Sequence, residues 1–131
     1  MTPVVVDASA AVEILLRTPS GRAIEARVPP GAIEWVPELY FTEVAGALRR
    51  AEINGFITAE RAAVAVDLLL SGPVNRAHVK PLLSEAWTMR HTITVPDAIY
   101  VALARHLQAP LITADLRLAR APGLGVEVIT Q

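Results

Sequence analysis

Apolar and polar positions along the chain divide it into short β-branched runs that alternate with stretches of helical period. Residues 3–6, Pro-Val-Val-Val, read as a strand, and from Asp7 the apolar positions Ala10, Ala11, Ile14 and Leu15 recur at helical spacing. Thr18-Pro19-Ser20-Gly21 stops that helix and offers Ser20 as the cap of another to about Val28, which Pro29-Pro30-Gly31 ends. Ile33–Val36 is a second strand. Pro37 opens the longest helix, Glu38 to about Ile53, closed by Asn54-Gly55, and Thr58 starts a further one to about Leu70 before Gly72-Pro73. His78–Leu82 reads as a third strand and Ser84 to about His91 as a helix. Thr94-Val95-Pro96 precedes a helix from Asp97 to about Leu107. Pro110–Thr113 is a fourth strand, Asp115 starts a short helix, and Val126–Ile129 is a last strand. Strands alternating with helices imply parallel pairing through right-handed crossovers, and so an α/β fold: a three-layer α/β/α sandwich around a central, mostly parallel sheet.

At 131 residues, 53% of them hydrophobic, the chain has the size and composition of a single domain, 1–131, with a packed core. The formal net charge of −1 leaves no global positive field, so any nucleic-acid contact must be a local patch. Eleven of the basic residues are Arg, and Lys80 is the sole Lys. Without cysteine there is no disulfide framework, no thiolate zinc site and no Cys nucleophile, which fits a reducing cytoplasm. No apolar run is long enough for a membrane span and no basic, apolar, cleavable leader is evident, so a soluble, unexported protein is the expectation.

Three of the four Asp stand where an apolar segment gives way to a helix: Asp7, Asp97 and Asp115. Each could simply cap its helix, since Asp is among the best N-caps and sits well at the positive end of the helix dipole. Alternatively, Asp7 and Asp115 follow strands, and ligands of open parallel sheets bind at the carboxyl ends of strands. Asp7-Ala8-Ser9 and Thr113-Ala114-Asp115 each place a hydroxyl two positions from a carboxylate, where it could bond a backbone amide or orient a ligating carboxylate. Glu43 is less easily explained as structural. At 100° per residue, Leu39, Tyr40, Gly46 and Ala47 lie within roughly 60° of it, so it falls in an apolar sector. A carboxylate there needs a partner; Arg50, on the same side two turns on, is the ion-pair candidate, and a bound cation is the other.

Four converging carboxylates require a divalent cation to offset their repulsion, and an all-oxygen donor set selects Mg²⁺ or Mn²⁺. His78, His91 and His106 lack zinc-ligand spacing. Carboxylate-bound Mg²⁺ supports phosphodiester hydrolysis without a covalent nucleophile.

The segments Val-Val-Val-Asp7-Ala-Ser9-Ala, Pro37-Glu-Leu-Tyr-Phe-Thr-Glu43-Val-Ala-Gly-Ala-Leu-Arg-Arg50, Pro96-Asp97-Ala-Ile-Tyr100-Val-Ala-Leu-Ala104 and Ala109-Pro-Leu-Ile-Thr113-Ala-Asp115-Leu-Arg-Leu118 together resemble the PIN-domain ribonucleases, and within them the VapC-type toxins of toxin–antitoxin pairs. The resemblance runs from Val4 to Ile129. It implies an acidic quartet of Asp7, Glu43, Asp97 and Asp115 that binds Mg²⁺, with Mn²⁺ as substitute, and cleaves structured RNA such as transfer or ribosomal RNA. Ser9 and Thr113 match the family's hydroxyl positions near the metal. It also implies a homodimer and a cognate antitoxin whose C-terminal segment covers the active site, with operator DNA reached only through the antitoxin. Leu116–Ala119 lacks the additional acid some PIN domains carry, which implies one firmly held ion and a weaker second. Arg117 and Arg120 are candidate RNA-backbone contacts. Few aromatic residues are available to stack on bases.

Three other readings compete on the residues. A receiver-like signalling domain would have an acidic neighbour beside Asp7 and a Lys after a later strand. An Asp-nucleophile phosphohydrolase would have Asp where Ser9 stands. A catalytically silent PIN-fold module that binds RNA or protein is the remaining alternative.

Overall fold

The computed structural model describes residues 2–131. Five strands form one all-parallel sheet in the order β3-β2-β1-β4-β5: β1 Pro3–Val6, β2 Ile33–Pro37, β3 Asn75–Ala77, β4 Leu111–Ile112 and β5 Val128–Ile129. Val5 of β1 is in register with Trp35 of β2 on one side and Leu111 of β4 on the other. Val4, Val5 and Val6 are buried, as the continuous apolar run demands of a central strand covered on both faces.

Seven helices complete the three layers: α1 Ala8–Leu15, α2 Pro19–Arg27, α3 Leu39–Ile53, α4 Ala59–Ser71, α5 Leu83–Thr88, α6 Val95–Leu107 and α7 Leu116–Ala119. α1 to α4 pack among themselves, while α5 packs on α6 and α6 lies against β1, β2 and β4. Every residue of α6 from Ala98 to Ala104 is buried. A helix apolar all round belongs inside, and the alanines at 98, 102 and 104 let it lie close to the sheet. α2 crosses α1 so tightly that a Cβ on Gly21 would stand 2.2 Å from the carbonyl oxygen of Glu13, a contact only glycine avoids.

Several boundaries differ from the sequence reading. The third strand is Asn75–Ala77, while Lys80–Leu82 within the expected strand 78–82 is a 3₁₀ turn. Pro81 has no N–H for a ladder, whereas the polar Asn75 and Arg76 pair with β2 because an edge strand needs only backbone partners and leaves its side chains in water. α2 starts at Pro19 under a Thr18 cap, whose hydroxyl accepts from the Gly21 N–H at 3.0 Å, so Ser20 is not the cap. α5 ends at Thr88 rather than near His91, and α6 begins at Val95 under a Thr94 cap, two residues before Asp97.

β1 is flanked by β2 and β4, so successive crossovers run one way from β1 to β3 and the other way from β4 to β5. The order reverses between β1 and β4. In an open parallel sheet a ligand crevice forms at the carboxyl ends of strands at such a reversal. Asp7 follows β1 there, and Thr113 and Asp115 follow β4.

Candidate active site

Asp7 leaves β1 at the reversal point and is 5% exposed. It occupies the N-cap position of α1 but makes no side-chain capping bond. Its Oδ2 instead accepts from the Ser9 hydroxyl at 2.6 Å and from the Thr113 hydroxyl at 2.8 Å. Each hydroxyl has a single proton to give, so the 3.1 Å approach of Ser9 Oγ to Thr113 Oγ1 is a consequence of both pointing at one carboxylate oxygen. Their lone pairs are used as well: the Ala114 N–H donates to Ser9 Oγ at 3.1 Å and the Asp115 N–H to Thr113 Oγ1 at 3.0 Å. The wiring is therefore crossed. Thr113, two residues before Asp115 in the chain, orients Asp7 with its proton and steadies the Asp115 backbone with its oxygen.

Glu43 projects from α3 beside Tyr100 of α6, whose fully buried side chain donates its hydroxyl to Oε1 at 2.7 Å. The Arg50 ion pair that the helical wheel suggested does not form; no salt bridge joins Arg50 to Glu43 among the described residues. Tyr100 went unassigned in the sequence reading. Its signal is its position three residues after Asp97 on an otherwise apolar helix, since a buried tyrosine needs a partner for its hydroxyl.

Asp97 lies in the first turn of α6, where Thr94 supplies the cap by accepting from the Asp97 N–H at 3.3 Å. Its carboxylate is thus not the cap expected of it. Asp115 does cap: its Oδ1 accepts from the Arg117 N–H at 2.9 Å and the Leu118 N–H at 3.2 Å at the start of α7. Of these three aspartates, only Asp115 is occupied as a cap, and only with one oxygen.

Burial is the first cause that raises the pKa values of Asp7, Glu43 and Asp97 above the ordinary carboxylate range. The Ser9 and Thr113 bonds oppose it at Asp7, the Tyr100 bond at Glu43 and the Thr94 hydroxyl at Asp97. Mutual repulsion adds to it. Asp115 acts on Asp7 and Asp97, Asp7 acts on Glu43 and Asp97, and Asp97 acts on Glu43, so every pair among the four except Glu43 with Asp115 is coupled. The nearest compensating cation is Arg117, which lowers Asp97 slightly and stands with its Nη2 3.9 Å from Asp115 Oδ2. That guanidinium is 86% exposed, so water screens most of its charge. Tyr100, buried beside Glu43 and Asp7, has its hydroxyl pKa pushed far above the usual tyrosine value by burial and by those charges, so it remains a donor.

The donor chemistry of this cluster is hard, all-oxygen and anionic, which suits Mg²⁺ or Mn²⁺ and not zinc. No three His, Cys, Asp or Glu side chains among the described residues are drawn together into a ready-made metal cage. Arg117 and Arg120 line a cleft of about 570 Å³ that shares Asp97 with the cluster. No helix among the described residues is long and apolar enough to cross a membrane.

Comparison with known proteins agrees with the fold. The PIN domain family model matches residues 4–124. Ribonuclease VapC12 of Mycobacterium tuberculosis is 43% identical over 125 residues, covering 95% of this chain and 96% of the relative. Ribonuclease VapC1 of the same organism is 42% identical over 133 residues, covering 98% and 97%. Among solved structures, VapBC2 from Rickettsia felis, bound to a DNA fragment from its promoter, superposes with a TM-score of 0.67 at 13% identity over 98% of this chain and 99% of that one. Mycobacterium tuberculosis VapC20, a sarcin–ricin loop cleaving toxin, gives 0.60 at 21% identity over 82% of this chain and 86% of that one. At those identities the structural matches speak to the fold.

Proposed function

The chain belongs to the PIN-domain family, and from that premise we propose that it is a metal-dependent endoribonuclease, the toxin of a toxin–antitoxin pair, hydrolysing phosphodiester bonds in structured RNA. The observation that carries the reading is the mutual repulsion among Asp7, Glu43, Asp97 and Asp115, two of which follow β1 and β4 at the reversal of strand order, with an exposed arginine beside them. Kinship to ribonucleases at 42–43% identity over almost the whole chain supports the reaction class.

The four carboxylates would hold Mg²⁺, or Mn²⁺ in its place. Bound there, the ion supplies a water of lowered pKa and offsets charge on the phosphate. The chain's own residues divide the remaining work. Ser9 and Thr113 fix Oδ2 of Asp7, and with it the orientation of a carboxylate that would hold the ion. Tyr100 fixes Oε1 of Glu43 in the same manner. Asp115 keeps Oδ2 for the site while Oδ1 caps α7. Arg117 and Arg120 contact the RNA backbone from the rim.

The substrate class extends to transfer or ribosomal RNA. The partner is a cognate antitoxin whose C-terminal segment covers the cleft, the toxin pairs as a homodimer, and operator DNA is engaged through the antitoxin. A Rickettsia felis VapBC2 assembly on promoter DNA supports that arrangement by fold. The site of action is the cytoplasm.

Purified protein incubated with folded total RNA and Mg²⁺ or Mn²⁺ tests the reading, beside an EDTA control and Asp7→Asn. Discrete fragments that require both metal and Asp7 are the expected result. Intact RNA under all conditions, from folded protein free of antitoxin, would transfer the fold to a binding role without catalysis.

A further inference from the structure

The cleft beside Asp97 contains more than the two arginines next to Asp115 in sequence. Its walls come from two distant segments: the turn between α5 and α6, which supplies Arg90, His91 and Thr94, and the end of α7, which supplies Arg117 and Arg120. Ile93 and Leu118 form part of its apolar lining, and Asp97 at one end belongs also to the carboxylate cluster. A volume of about 570 Å³ lies within the roughly 300–1,000 Å³ that ligand-sized sites occupy.

The charge in this cleft is reversed relative to the cluster. Three guanidinium groups and an imidazole face one carboxylate, on a chain whose net charge is −1. Arg90 is held in place: its Nη1 donates to the Trp87 carbonyl at 2.9 Å and its guanidinium lies 4.8 Å from the centre of the Trp87 ring. That bond uses one of five N–H donors. Arg120 and His91 have no salt bridge or side-chain hydrogen bond among the described residues. Arg90, stacked on Trp87, and Arg117 and Arg120 in the same cleft of nucleotide size offer multivalent contacts to phosphate oxygens.

We propose that this cleft is a phosphate-binding track for the RNA strand adjoining the cleaved bond, with Arg90 and Arg120 as opposing contacts and Asp97 marking where the track meets the reaction centre. The inference rests on the ribonuclease reading for its ligand and adds Arg90 and His91, 27 and 26 residues before Arg117, to the RNA-binding surface. Polarity follows from charge: phosphates cannot settle on the carboxylates without a cation but can do so on the arginines, so the flanking strand lies on the Arg90–Arg120 side.

The test uses labelled transfer RNA and labelled ribosomal RNA, bound to full-length protein in the Asp7→Asn background so that the strand stays intact, with affinity measured across a salt series. Arg90→Gln and Arg120→Gln together are expected to weaken binding at least tenfold at low salt and to reduce the slope of log affinity against log salt by roughly 1.4, about 0.7 per lost single-strand phosphate contact. Arg49→Gln, an exposed charge on α3 remote from the cleft, is the control and leaves affinity and slope as they were. Arg120→Gln alone carries the test if removing Arg90 from its Trp87 stack lowers the melting temperature. Unchanged affinity and slope in folded double variant would overturn the proposal while leaving Asp7-dependent cleavage standing. Loss of binding in a protein whose wild type never cleaves would uphold the track and remove the ribonuclease reading. Displacement of an acidic peptide by the same substitutions, with RNA binding intact, would also overturn it, in favour of a protein ligand.

Discussion

The four carboxylates divide into an inner and an outer pair, and the two are built differently. Asp7 and Glu43 are each held by hydroxyls from elements distant in sequence, Asp7 by Thr113 and Glu43 by Tyr100. Asp97 and Asp115 sit at helix beginnings and are placed by local backbone, through the Thr94 cap in one case and Asp115's own capping bonds in the other. The inner pair thus depends on tertiary packing for its orientation, whereas the outer pair depends on turns of a few residues. Folding and catalysis should therefore separate in the outer pair and be entangled in the inner one.

The largest effect is expected from Asp7→Asn, which removes the most buried charge of the cluster: cleavage should fall on the order of a thousandfold, equivalent to losing several kcal/mol of transition-state stabilisation. Measured by single-turnover RNA cleavage, a loss below tenfold would take Asp7 out of the reaction centre.

Thr113→Val comes next, because it strips the Asp7 carboxylate and the Asp115 N–H of a partner at once in a fully buried position. A destabilisation of about 1.5–3 kcal/mol in chemical denaturation is expected, with reduced cleavage. Tyr100→Phe leaves Glu43 without its donor at nearly constant volume. It should cost about 1 kcal/mol in stability, raise the Mg²⁺ concentration for half-maximal cleavage, and weaken Mn²⁺ binding measured by calorimetry. Unaltered Mn²⁺ affinity would reduce Tyr100 to a packing residue.

In the outer pair the two properties part. Asp115→Asn retains a good N-cap and should alter stability by only a few tenths of a kcal/mol while cleavage falls, whereas Asp115→Ala should lose about 1 kcal/mol as well. Equal stability of the two variants would mean that the cap contributes nothing.

The smallest effect is on pH dependence. Asp7, Glu43 and Asp97 have pKa values raised above the ordinary 3.8 and 4.5. The folded protein therefore binds these protons more tightly than the unfolded chain. Their contribution to stability is full below about pH 4 and is lost as pH rises through the raised values. Denaturation in EDTA should show stability falling over that window, and saturating Mg²⁺ should flatten the fall through linkage. A metal-free protein whose stability rises with pH throughout would contradict the directions found here, provided other carboxylates are held constant by comparison with Asp97→Asn.

Much of the architecture was legible because it follows from local rules. Val-Val-Val before Asp7 reads as a covered strand, Thr58 marks the start of α4, and alternation of strand with helix implies parallel crossovers. Glu43 stood out for a similar reason, as a carboxylate in an apolar sector. The misread third strand, Asn75–Ala77, is polar and owes its conformation to β2, not to its own pattern. Arg50 was the partner suggested for Glu43 from within one helix, and the actual partner, Tyr100, lies 57 residues away.

The sequence by itself determined most of the elements and their parallel pairing, because helix caps and apolar period are properties of neighbours along the chain. Tertiary structure alone decided that strand order reverses between β1 and β4, that Thr113 serves Asp7, and that Tyr100 serves Glu43. It also decided that Arg90 shares a cleft with Arg120. Each of these joins groups whose separation in sequence carries no periodic signal: pairing of β1 with β4 brings Thr113 to Asp7, and α6, laid on β1, β2 and β4, carries Tyr100 to Glu43.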